Sequence, residues 1–163
     1  MAILSFKTQT AKKGFTLIEV LAFVTIASFL LITVMAVTVI SINRMKSDQY
    51  KLWGNYFTES LLEWLTGERE ADWNAFYAKA GDVTDNIYCF NDINLSSWPS
   101  TGNCTNYSLG ANEIFGGKQI FKREAYLRQS GTDKVNVKVV VTWKEKSGER
   151  KIEAIRNFSF VEE

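Results

Sequence analysis

Residues 12–21 read KKGFTLIEVL, and residues 15–42 continue as FTLIEVLAFVTIASFLLITVMAVTVISI, a run whose only charge is Glu19 and which no proline or glycine interrupts. As an α-helix these residues would extend about 42 Å at 1.5 Å per residue, enough to cross a hydrocarbon core of about 30 Å with some tilt. Lys12 and Lys13 stand directly before the run, and Lys7 precedes them with no acid among the first fourteen residues. The positive-inside rule therefore puts the amino terminus in the cytoplasm and the rest of the chain outside. A secretory signal would have a shorter apolar core followed by small residues at a cleavage site, and neither is evident before Asn43 and Arg44. Glu19 is the odd residue, because a carboxylate inside a bilayer costs several kcal/mol unless it is paired, which marks it as a functional candidate. The structural alternative is a carboxylate that snorkels to the cytoplasmic interface.

Beyond residue 42 the pattern changes. Met45, Leu52, Trp53, Tyr56, Phe57, Leu61, Trp64 and Leu65 recur at spacings of three and four, which predicts an amphipathic helix continuing the first to about residue 65, with one stripe for a sheet to cover. Gly54 weakens that helix by about 1 kcal/mol relative to alanine without forbidding it. A short helix is expected over residues 72–79, capped by Asp72 and ended by Gly81. Residues 86–110, NIYCFNDINLSSWPSTGNCTNYSLG, are rich in Asn, Ser, Gly and Thr and should be loops, with one short strand at 87–90. Asn94, Asn103, Asn106 and Asn157 each begin an N-x-S/T triplet, to which we assign no role.

The carboxy-terminal part is strand-like. Val135, Val137, Val139, Val141 and Trp143 alternate with Lys134, Asn136, Lys138 and Lys144, and period two over this length predicts a half-buried strand. Lys146, Ser147, Gly148 and Glu149 form a turn. Ile152, Ala154, Phe158 and Phe160 should then share the buried face of a partner strand, and residues 119–127 supply a third. Lys122, Arg123 and Arg128 form the one modest basic cluster, expected to be a solvated strand face.

Composition narrows the function. The chain of 163 residues carries a net charge of +1, and residues 43–163 hold 16 basic and 17 acidic side chains, so that part lacks the electrostatic footprint of a nucleic-acid binder. There is no histidine, and no catalytic constellation, phosphate loop or metal-ligand spacing is recognisable, so neither an enzyme nor a cofactor is expected. Cys89 and Cys104 lie on the side of the membrane that the lysines make external. In an oxidising compartment they read as one disulfide closing a loop of about fifteen residues, worth about 3 kcal/mol; two unpaired buried thiols are the alternative.

The junction GFTLIE resembles the class III signal of type IV prepilins and type II secretion pseudopilins, in which a basic leader ends in glycine before Phe-Thr-Leu-Ile-Glu. By that resemblance Gly14 is the last leader residue, Phe15 the N-methylated first mature residue and Glu19 the acidic fifth, destined to pair with the Phe15 amine of a neighbouring subunit. A weaker similarity, over FKREAYLR at 121–128 and VNVKVVVTWKEKSGERK at 135–151, points to the sheet of PilV-like minor pilins and I-type pseudopilins. The helix lacks the proline that many major pilins carry partway along, Ala36 standing near that place, which favours a minor pilin or pseudopilin.

The resemblance implies an α+β pilin fold: a long amino-terminal helix, half transmembrane and half amphipathic, packed on a carboxy-terminal antiparallel sheet. It implies a leader at 1–14, a membrane and assembly helix at 15–42 and an extracytoplasmic head at 43–163. The expected partners are prepilin peptidase, sister pilin or pseudopilin subunits and the inner-membrane assembly platform, and the expected location is the inner membrane and then a pilus or pseudopilus. An adhesion or DNA-uptake role for the head is the alternative function.

Overall fold

The computed structural model describes residue 14 and residues 16–110, 119–145 and 148–160. Phe15, Lys7, Lys12 and Lys13 and the turn residues Lys146 and Ser147 lie outside the described residues. The chain divides into two compact units, Met1–Arg44 and Met45–Glu163. Its elements in order are α1 (Leu17–Ala71), α2 (Trp73–Tyr77), β1 (Asn86–Cys89), β2 (Phe121–Gln129), β3 (Lys134–Glu145) and β4 (Gly148–Ser159). The four strands form one antiparallel sheet in the order β1-β2-β3-β4, and the second half of α1 packs on it. This is the α+β arrangement of long helix and antiparallel sheet that the sequence predicts.

Only part of the expected amphipathic stripe is covered: Trp53 and Trp64 are half-buried and Phe57, Leu61 and Leu65 buried, whereas Met45, Leu52 and Tyr56 are each more than 55% exposed. Phe57, Leu61, Leu62 and Leu65 are buried, and they meet Phe121, Ala125 and Leu127 of β2 and the alternating Val135, Val137, Val139, Val141 and Trp143 of β3. Gly54 has a packing reason for its place in the helix. A Cβ there would come within 3.0 Å of Ile152 Cδ1 and 3.2 Å of Trp143 Cζ3, so the missing side chain lets the hairpin approach the helix backbone. On either side of this glycine Trp53 and Tyr56 stack edge to face, and Phe57 does the same on Phe121.

Several boundaries differ from expectation. The helix runs to Ala71, six residues past the predicted end, because Arg69 still has a face to cover: its guanidinium lies over the Phe158 ring at 5.9 Å. α2 is capped as predicted, the Asp72 carboxylate accepting from the Ala75 N–H at 3.0 Å, but it stops at Tyr77. Gly81 does not end it; its N–H donates to the Leu127 carbonyl, tying the segment to the edge of β2. On β4, Phe158 is buried and Ile152 and Ala154 are half-buried, whereas Phe160 is 50% exposed. Pairing of β3 with β4 ends at Lys134 and Ser159, so Phe160 lies past the sheet, its ring 6.1 Å from that of Trp73.

The second face of the sheet is also covered. Val140, Thr142 and Glu124 point away from the helix yet are buried, because residues 101–110 cross over them. Cys89 and Cys104 form a disulfide with Cα atoms 5.0 Å apart, and it fastens this loop to β1. The Glu124 carboxylate accepts the Cys104 N–H at 2.8 Å and the Tyr126 hydroxyl at 3.1 Å, so the loop is held by covalent and polar contacts together. Trp98 anchors the preceding stretch, stacking on Trp64, Tyr88 and Phe90 while its indole N–H donates to Glu68 at 2.7 Å.

Candidate functional site

The first unit has one chemical feature. Leu17, Ile18, Phe23, Phe29 and Met35 are each more than 65% exposed, and the most apolar window of α1, of mean hydropathy 2.7, is 0% buried. A helix that is hydrophobic on every side is built for an apolar environment, and residues 17–42 are long enough to span a bilayer. Four of its five hydroxyls, all but that of Ser41, turn back onto the helix. Thr25 donates to the Ala22 carbonyl, Ser28 to Val24, Thr33 to Leu30 and Thr38 to Val34, each at 2.7–2.8 Å, so none of these four needs a partner outside the helix.

Glu19 is the exception. It sits in the first turn of α1, its backbone N–H donating to the Thr16 carbonyl at 3.0 Å, and its side chain is exposed. The positive end of the helix dipole favours a carboxylate there. Among the described residues its carboxylate has no partner. Gly14 is exposed and a Cβ on it would meet nothing within 4 Å, so the backbone just before Phe15 is open to approach. Phe15 itself lies outside the described residues. Gly14 and Glu19 are thus on the same short segment, and among the described residues nothing neutralises the acid.

The second unit contains the residue that sequence reasoning misplaced. Lys122, Arg123 and Arg128 do not form a cluster, because adjacent residues of a strand point to opposite faces. Lys122 and Arg128 lie on the outer face, the former 3.9 Å from Glu149 and the latter 2.8 Å from Asp85. Arg123 turns inward and is 1% exposed. Its Nε donates to the Phe90 carbonyl at 3.0 Å, its Nη1 to the Phe57 carbonyl at 3.0 Å and the Ser60 hydroxyl at 2.8 Å, and its Nη2 to the Asp92 carbonyl at 2.8 Å. One guanidinium thereby joins α1, β2 and the loop after β1. Burial pulls its pKa down to about 10, opposed by Tyr56 and Asp92, so it stays charged at neutral pH.

The signal that would have placed Arg123 is its phase: it alternates with Phe121, Ala125 and Leu127, the buried set of β2. Its role is to hold the head together. No group of three or more His, Cys, Asp or Glu among the described residues could hold a metal ion. One indentation beside α1, lined by Tyr56, Ser60, Glu63, Trp64, Ile93 and Leu95, is an open groove of about 270 Å³ with a single carboxylate. The unpartnered acid of the apolar helix is therefore the candidate site. No known protein family, curated protein or solved structure matches the chain.

Proposed function

We propose that the chain is a minor pilin or pseudopilin: a single-pass inner-membrane precursor, amino terminus inside, that prepilin peptidase cleaves after Gly14 and that then packs into a type IV pilus or type II secretion pseudopilus. The observation that carries the reading is Glu19, a carboxylate with no partner among the described residues, in the first turn of a helix whose first half is otherwise apolar on every side and of membrane length. Such a group calls for a cation delivered from another molecule. Cleavage before Phe15 creates one, the new α-amine. Pairing Glu19 of one subunit with that amine on the next neutralises both charges at the stage when the helix leaves lipid for a bundle of its own kind. The GFTLIE motif supports this reading, and so does the division of labour along α1, whose second half serves the head and leaves the first half free to serve assembly.

The test is the intact mass and amino-terminal sequence of the protein from membranes with and without prepilin peptidase. The expected product lacks residues 1–14 and begins with N-methylated Phe15. Persistence of residues 1–14 in the presence of active peptidase would leave a simple membrane-anchored domain as the better account.

A further inference from the structure

The head is electrically lopsided along the direction of α1. Ser47 donates to Glu145 at 3.1 Å, and the pairing of Glu145 with Gly148 closes the β3–β4 hairpin, so the hairpin end lies beside the start of the helix's second half. At this end stand six cations, Lys46, Lys51, Lys122, Lys144, Arg150 and Lys151, against three carboxylates, Asp48, Glu145 and Glu149. The remaining described residues of the second unit hold seven cations against eleven carboxylates, so the excess of positive charge is local.

The carboxylates do little to quench it. Glu145 is largely buried and turned to internal use, accepting from Ser47 and from the Trp143 indole, and it stands 4.0 Å from Arg150. Lys51 is 3.6 Å from Asp48, Lys122 is 3.9 Å from Glu149, and Lys151 is paired at 2.7 Å with Glu153, two residues further along β4; all three are surface pairs of small worth. Between helix and hairpin opens a hollow of about 470 Å³ into which Lys51, Asn55, Arg150 and Lys151 face, floored by Trp143.

Position decides what this end meets. Ser47 follows the last residue of the apolar run, Ile42, by five residues, at most about 18 Å of fully extended chain and about 7.5 Å of helix. Within that reach lies the headgroup layer of any bilayer that residues 17–42 span. We infer that the hairpin end of the head is a docking surface for anionic phospholipid, with the hollow between Lys51 and Arg150 receiving a headgroup phosphate. The inference rests on the membrane-spanning reading of residues 17–42. Docking would seat the unassembled subunit on the membrane, and its electrostatic grip would be released when the subunit is drawn out.

The test is lysine acetylation, read residue by residue by mass spectrometry, on the full chain loaded as single copies into lipid nanodiscs of phosphatidylglycerol or of phosphatidylcholine. Each cation near an anionic surface is worth about fivefold in partition. Lys46, Lys51 and Lys151 should therefore react at least about fivefold more slowly in phosphatidylglycerol, while Lys134 at the far end of the sheet keeps one rate in both. Salt at about 0.5 M, which shortens screening to a few ångströms, should restore the faster rate, as should the variant Arg150→Gln with Lys151→Gln at the remaining lysines. Equal rates in the two lipids overturn the inference. Protection that arises only in discs holding two copies, whatever the lipid, assigns the surface to a second subunit and overturns it too. Failure of the chain to enter either disc sinks the membrane-spanning reading first and the docking surface with it.

Discussion

Residues 17–42 and residues 45–71 belong to one helix, yet each half solves the problem of a charge in apolar surroundings in its own way. The first half carries Glu19 with no partner among the described residues and exposes its apolar side chains all round. The second half lends the Phe57 carbonyl and the Ser60 hydroxyl to Arg123, whose guanidinium is enclosed by four neutral oxygen acceptors. A charge that its own chain satisfies is a structural tie, and one left open is an invitation to another molecule. That difference separates the part of the protein that holds itself together from the part that, on the function proposed above, waits for assembly.

Arg123→Met is the harshest way to break the first side of the comparison. The change removes four hydrogen bonds and leaves buried oxygens without donors, for which a loss of about 3–5 kcal/mol is expected. Urea denaturation of the full chain in detergent, followed by the fluorescence of the core tryptophans, reads this directly. Arg123→Lys should recover only part of it, since an ammonium cannot reach the oxygens on α1 and those on the loop after β1 at once. A midpoint within 0.5 kcal/mol or so of the parent's would mean that Arg123 is not the tie described.

Glu19→Gln is the crossed experiment. It should leave the urea midpoint of the head where it was, because the carboxylate touches nothing in the second unit. Recovery of the subunit in sheared fibres should fall about a hundredfold, the equivalent of losing about 3 kcal/mol of a desolvated ion pair. If instead the variant assembles as the parent does, the pairing with the Phe15 amine fails as an account of Glu19, even should cleavage after Gly14 be observed.

How much of this could be read in the sequence follows from how local the cause is. The apolar run, the stripe from Leu52 to Leu65 and the alternation from Val135 to Trp143 are periodicities, and periodicity is written in the chain. Arg123 was legible too, through its phase with Phe121 and Leu127, but the neighbouring Lys122 drew both into one imagined cluster. The burial of Val140 and Thr142 was not legible. It depends on residues 101–110 crossing the outer face, and no pattern within β3 announces what another segment will cover. The exposure of Phe160 depends likewise on where the pairing of β3 and β4 runs out.

That crossing loop gives the third way to sharpen the contrast. Cys89→Ser with Cys104→Ser should lower the stability of the head by about 3 kcal/mol if the loop-closure entropy of fifteen residues is the main loss. The loss should come with faster hydrogen exchange in residues 101–110 and no change in residues 17–42. Retained protection of that loop in the double serine variant would show that Glu124 and the aromatic contacts hold it without the bridge.

Tyr126 offers the smallest effect and the most local one. Its hydroxyl donates to Glu124, and Lys138 stands 4.6 Å over its ring. Partial burial, followed by the charge of Glu124 and the hydrogen bond to it, raises its pKa from 10.0 to about 12. The folded chain therefore holds this proton more tightly than the unfolded chain does. The resulting stability is complete below pH 10 and is lost as pH rises through 12. Because the ring is partly in water, the loss is small, and spectroscopy is the better reporter. In the difference between the ultraviolet titrations of the parent and of Tyr126→Phe, one tyrosinate should appear with a midpoint near 12. A midpoint near the ordinary 10 would mean that Glu124 does not hold the hydroxyl, and that the loop over the outer face relies on the disulfide and the Cys104 N–H alone.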